Sequence, residues 1–413
     1  MKKIAKISLV AAIAVAGFTT ANAQPLEEAI KNVDVTGSVV YRYNDTTNNA
    51  LTAQGNSAGQ NNNYKVGLNL SSKVNDDVKF NSRFLVADMA GNAGTFTPLD
   101  TSATNDANVN VQLSHANFAY TGVKNTTVTV GKQGLATPYT VATQIDDNEQ
   151  NGTGILALSA IGPVTLGGAY FNQTNLNVGA TGSDAQVYGV LNGVSRNGGG
   201  VGTADIGALA AIVAAGPVTV DAWYLNLQNI FTTHTVGAKS EFKVGATTLG
   251  LDARYAALQL DDRNNANEDL NQIIKLAATA KAGIVSGKIA YAATGNDGGI
   301  TALDSDAATA LKGWNLNSLN KTDAEYLQLV AAVDILSNLN LSANYGNLQS
   351  GAQNANAVEE EELYGQLTYK MSKNLSTYVR YGTYTNDTTA KNTGVVTENN
   401  DSTAGRLQVA YTF

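Results

Sequence analysis

Apolar and polar residues alternate with a period of two along nearly the whole chain from Val33 to Phe413. Val33, Val35, Val39 and Tyr41 share one parity, and Tyr64, Val66, Leu68 and Leu70 form a second such run. The last ten residues set Leu407, Val409, Tyr411 and Phe413 against Arg406, Gln408, Ala410 and Thr412. This alternation marks strands with one apolar face, and no long stretch repeats at the helical period. Eighteen strands are predicted, at 33–43, 63–73, 78–88, 111–120, 126–131, 154–160, 164–171, 206–214, 218–227, 233–243, 248–258, 272–281, 285–294, 324–335, 338–346, 362–371, 375–384 and 402–413. Other boundary choices give 16. The alternation is weakest around Thr126, Gly154 and Ile206.

Connection lengths carry as much information as the strands. Short turns such as "VNDD", "IGP", "AGP" and "SKN" take turns with long polar segments at 44–62, 89–108, 172–205 and 295–322. Short turns at one end and long loops at the other characterise an all-β transmembrane antiparallel barrel of the outer-membrane type. A soluble sandwich has no reason to alternate so regularly. With an even strand count, both ends of the barrel domain fall on the short-turn, periplasmic side.

Charge placement agrees with a barrel. If the more apolar parity faces lipid, Arg42, Lys65, Lys79, Arg83, Arg254, Lys275, Arg380 and Arg406 all point inward, as do Asp34, Asp221, Asp252 and Asp334. An outward Lys or Arg would cost about 2–4 kcal/mol at mid-bilayer. The outward face is rich in Ala, Gly, Val and Thr, too thin for a sandwich core but sufficient against lipid. Tyr41, Tyr120, Tyr345, Tyr369, Tyr411 and Phe413 are its expected interfacial aromatics.

The N-terminal "MKKIAKISLVAAIAVAGFTTANA" reads as a cleaved secretory signal, 1–23, leaving the barrel domain 24–413. Without Lys2, Lys3 and Lys6 the basic count falls from 26 to 23 against 34 acidic residues, a balance unsuited to nucleic acid. There is no cysteine, which excludes disulfides and thiol chemistry. Beyond the leader nothing approaches the roughly 20 apolar residues of a membrane helix.

"PLEEAIKNVDVTGSVVYRY" (25–43), "TVTVGKQ" (127–133) followed by an acidic loop and "NGTG", and the final "RLQVAYTF" resemble the campylobacterial major outer membrane porins. The resemblance implies an eighteen-stranded, trimeric general-diffusion porin, mildly cation-selective, with calcium in some members.

Porins fold their third long loop into the barrel. Here that loop, 133–154, carries Asp146, Asp147 and Glu149. These acids are expected to line a constriction opposite a basic wall of Arg42, Arg83, Arg254, Arg380, Arg406 and Lys79, a transverse field for ions and dipolar solutes. The bland alternative is that they are solvated loop charges. Asp146 and Asp147 could also contribute to a calcium site if Asp34 or Asp252 joined them. "VEEEEL" (358–363) reads as a solvated loop run that could instead collect divalent cations or lipopolysaccharide. "PLEEAIKN" reads as a short helix. His115 and His234, the only histidines, lie in no nucleophile motif, so no enzyme is expected. Trp223 is expected on a strand and Trp314 in a loop. The expected function is passive diffusion of small hydrophilic solutes and ions, with a substrate-selective channel or a loop-presenting adhesin as alternatives.

Overall fold

The computed structural model describes residues 33–48, 57–87, 96–99, 111–145, 147–176, 201–261, 270–351 and 356–413. The expected leader, the helix at 25–32 and Asp146 lie outside these residues.

The strands are β1 (Val33–Asn48), β2 (Ser57–Lys73), β3 (Val78–Val86), β4 (Thr97–Pro98), β5 (Val111–Tyr120), β6 (Thr126–Gly134), β7 (Asn151–Ile161), β8 (Val164–Thr174), β9 (Ile206–Ala215) and β10 (Val218–Leu227). They continue with β11 (Phe231–Val244), β12 (Thr247–Leu260), β13 (Leu270–Ala282), β14 (Val285–Thr294), β15 (Glu325–Leu336), β16 (Leu339–Ser350), β17 (Ala357–Lys370), β18 (Leu375–Thr389) and β19 (Val396–Thr412). Neighbours pair antiparallel, and β1 bonds both β2 and β19, so the sheet closes. The two residues of β4 pair with Asn63 and Tyr64 in line with β3, so the wall has 18 strand positions. Closure satisfies every strand edge, as a sheet in lipid requires.

Each of the eighteen predicted strands is present, and several run further than the alternation indicates. β1 and β2 stay paired out to Asn48 and Ser57 through a segment expected to be loop. The Val358–Leu363 run, expected as a solvated loop, lies within β17: Glu360 and Glu362 are buried inward while Glu359 and Glu361 are exposed. Polar side chains on both parities hide these extensions from a hydrophobicity pattern. The connection at 228–230 is tight although it lies at the long-loop end.

The outward parity exposes Val39, Phe118, Val130, Leu166, Leu209, Val236, Leu251 and Val379. At the short-turn end it carries Tyr120, Tyr369 and Tyr411. A second aromatic tier comprises Tyr170, Tyr224, Tyr291, Tyr345 and Tyr381, each six residues from the short-turn start of its strand. Six residues at about 3.3 Å each carry the chain about 20 Å. These tyrosines mark a second interfacial ring above the first.

The seam between β1 and β19 ends on reciprocal backbone bonds, Gly37 N to Phe413 O at 2.8 Å and Phe413 N to Gly37 O at 3.0 Å. A Cβ on Gly37 would meet the Phe413 ring at 2.7 Å and the Gly67 carbonyl at 2.4 Å, so this contact requires glycine.

Candidate functional site

Two loops at the long-loop end meet inside the barrel. L3 (135–150) roots between β6 and β7, and L7 (295–324) between β14 and β15, with eight strand positions between them on one side. Roots so nearly opposite let the two loops bridge the lumen.

L3 is tethered to the wall by cations from β2 and β3. Lys65 Nζ donates to the carbonyls of Gln144 (2.7 Å) and Asp147 (2.5 Å) and to Glu149 Oε1 (3.1 Å). Arg83 grips the same carboxylate in a fork, Nη2 to Oε1 at 2.6 Å and Nε to Oε2 at 2.9 Å. All three side chains are buried. Burial opposes ionisation of Glu149, but the hydrogen bonds and charges of Arg83 and Lys65 outweigh it and hold the carboxyl below the usual range.

L7 fastens to L3 and to the wall on either side of its own root. Leu303 N donates to Tyr139 O (2.7 Å) and Thr309 N to Pro138 O (3.1 Å). Asn148 Nδ2 (3.0 Å) and Gln150 Nε2 (2.5 Å) converge on Asp304 Oδ2. Burial raises the pKa of Asp304 above its ordinary value. Lys312 Nζ bridges the loops, reaching Asp306 at 2.7 Å and Asp147 at 3.4 Å. Burial opposes its charge, but Asp147 and Asp306 prevail and raise its pKa. On the wall, Lys275 of β13 donates to Ala310 O (3.2 Å). Glu362 of β17 accepts the amides of Trp314 (3.0 Å) and Asn315 (2.7 Å). Gly313 makes room for this carboxylate, which would otherwise lie 1.8 Å from its Cβ.

The anchored Trp314 ring reaches a basic stretch of inner wall. Arg380 and Arg406 are directly opposite in the β18–β19 register. The Arg380 guanidinium lies 5.0 Å from the Trp314 ring, 4.8 Å from Tyr364 and 5.2 Å from Tyr378; Arg406 lies 5.6 Å from Trp314. Their hydrogen bonds go to neutral amides, Arg380 Nε to Gln366 at 2.8 Å and Arg406 Nε to Asn44 at 2.7 Å. Neither has a carboxylate within ion-pair distance among the described residues. One rung away, Arg42 donates to Gln408 (2.8 Å) and lies 4.1 Å over Phe96.

The expected site is thus rearranged. Asp147 lies between the loops, whereas Glu149 and Arg83 are a buried tether rather than open pore charges. L3 sits over two inward cations, and Glu149 between them is drawn into pairing with both. Arg254 also leaves the open wall: it is buried in a bidentate pair with Asp221, at 2.7 and 2.9 Å. Lys79 is exposed near the short-turn end, across from Lys73 and away from L3. Among the described residues no group of three or more His, Asp or Glu is placed to hold a metal. Asp252 pairs with Lys239 (3.2 Å), while Asp146, the neighbouring carboxylate considered for calcium, lies outside the described residues. The sequence reading missed Lys65, Asp304, Asp306, Lys312 and Glu362 as site residues. For all but Lys65, which holds L3, the signal was the length of L7.

A closed antiparallel barrel with an apolar outer belt, a polar inner wall and two loops meeting in its lumen is an outer-membrane channel. The sequence matches the Campylobacter major outer membrane protein family over residues 1–413, and the chain belongs to that family. It resides in the outer membrane. No curated protein matches it. Among solved structures it is similar to OpdK of Pseudomonas aeruginosa, with TM-score 0.67 and 15% identity, covering 92% of this chain and 98% of that one. OccK2 (OpdF) of the same organism, also solved in complex with glucuronate, gives TM-scores of 0.69 and 0.68 at 14% identity with the same coverage. At these identities the likeness is one of fold.

Proposed function

We propose that residues 24–413, freed of a leader at 1–23, form a passive, non-enzymatic pore for small hydrophilic solutes and ions, mildly cation-selective. The supporting observation is the meeting of L3 and L7 in the lumen, which narrows the barrel while leaving a hydrogen-bonding inner wall beside them. Cation preference is favoured by the neutralisation of much of the basic wall: Arg254 by Asp221, Lys239 by Asp252 and Lys281 by Asp334. The excess of acidic residues then sets the wider field. Liposome swelling with neutral sugars of increasing size tests this reading. Rates should fall steeply with size; folded protein that swells liposomes no faster than none contradicts it.

A second reading, selective passage of organic anions, is favoured by Arg380 and Arg406, opposed like charges with no carboxylate at ion-pair distance among the described residues. The glucuronate bound to OccK2 is a compound of that class. Saturable block of conductance by glucuronate, weakened roughly tenfold in Arg406→Gln, would establish it. Equal, unsaturated behaviour in both proteins would leave general diffusion.

A trimer is also proposed. A shallow apolar groove of about 680 Å³ crosses the outer wall over Ala278, Gly287, Ala331 and Ala343, where small side chains would let another subunit seat. Contacts with lipid and lipopolysaccharide belong to the remaining belt and loops. Calcium is not part of this proposal.

A further inference from the structure

On strands β7 to β10 both faces of the wall are apolar. Outward lie Ile155, Tyr170, Leu209 and Tyr224; inward lie Leu156, Leu158, Ile212, Trp223 and Leu225. This is why the alternation fades around Gly154 and Ile206: "GILALSA" and "IGALAAIVAA" have no polar parity. A wall facing only water would have one. The structure gives the inward apolar face a shape. Gly167, Ala169, Ala208 and Ala210 form a floor of small residues, and the larger inward side chains rise around it. L3 and L7 roof one part with Leu135 and Leu303, both buried. The roof stops short. A cavity of about 300 Å³ remains, and Leu158, 38% exposed, continues it toward the short-turn end.

We propose that this niche binds the aromatic ring or branched alkyl group of a small amphipathic solute while its polar end stays in the water of the lumen. A far smaller apolar cavity, about 150 Å³, suffices to take benzene, and small-molecule pockets begin near 300 Å³. The lining is almost entirely apolar, its few polar side-chain groups being the Thr137, Thr140 and Thr165 hydroxyls and the Trp223 indole N–H. The Thr140 hydroxyl donates to Leu135 O and lies 2.8 Å from the Thr137 hydroxyl, so these two hydroxyls are already engaged. The niche lies on the inward parity behind a closed strand ladder, which excludes a lipid chain from the belt and makes the occupant a solute in transit. The proposal rests on solutes entering the lumen and adds to that a chemical class.

Trp223 is one of only two tryptophans, so Trp314→Phe makes it the sole indole reporter, inside the niche. The refolded variant in lipid nanodiscs would be titrated with 4-nitrobenzyl alcohol, a neutral ring that quenches indole emission, and with nitromethane, a quencher without a ring. Saturable quenching by the alcohol and linear quenching by nitromethane are expected. Ala210→Leu in the same background fills the floor and should weaken the saturable phase roughly tenfold, the loss expected when a ring is denied burial. Gly167→Ala narrows the same floor, its new Cβ 3.1 Å from Leu158 and 3.2 Å from Ala210, and provides a gentler second variant. Linear quenching by both compounds, or saturable quenching unchanged in both filled variants, overturns the niche. Conductance of the unsubstituted protein is recorded separately. Saturable ring binding without conductance would refute the pore and keep the site; conductance without ring binding would do the reverse.

Discussion

Glu149 shows how one carboxylate can fix a loop. It is the shared ion-pair partner of Lys65 and Arg83 where water is excluded, and removing such a buried partner costs about 3–5 kcal/mol. Glu149→Gln should therefore release the end of L3 and raise single-channel conductance, while the heat-modifiable band of the folded barrel persists. The sign of the pH effect follows from the lowered folded pKa. The tether's contribution is present above the ordinary value of 4.5 and is lost as pH falls through the depressed one. The conductance gap between wild type and Glu149→Gln should thus be full at neutral pH and close below about pH 4.5. A gap that widens in acid would contradict the assignment. The sequence made Glu149 legible as a residue of the inward loop, because ordinal position identifies L3. Its burial was not legible, since Lys65 and Arg83 are 84 and 66 residues away in sequence and only the closed barrel brings them under it.

The strands were legible because lipid on one side and water on the other impose a two-residue period. They blurred where that cause fails: around Ile206 both faces are apolar, and around Val358 both are polar. The role of L7 was hidden, because backbone amides and carbonyls hold it as much as side chains do. Glu362 holds the backbone amides of Trp314 and Asn315, so Glu362→Ala should unhook the tip of L7 and free the Trp314 ring from Arg380. Trp314 emission should shift to the red and the current should become noisier. Unchanged emission would mean that other contacts position the ring. At the seam, Gly37→Val places side-chain atoms where the Phe413 ring now lies. Refolding yield should fall severalfold, by an overpacking cost of about 1–3 kcal/mol. A normal yield would show that β19 can shift to accommodate it.

As a whole the molecule is a closed wall of 18 strand positions whose lumen is crossed by two loops from nearly opposite roots. Conduction therefore requires an open path beside those loops, controlled by their anchors. Single-channel recording of the refolded protein in planar bilayers tests this most directly, comparing wild type with Glu149→Gln, Glu362→Ala and the double variant under a KCl gradient. Discrete steps that grow in each single variant and most in the double, with a cation-positive reversal potential in wild type, are the predicted result. Steps of one size in all four proteins, or none from verifiably folded barrels, would contradict the claim that L3 and L7 form the constriction of a conducting pore.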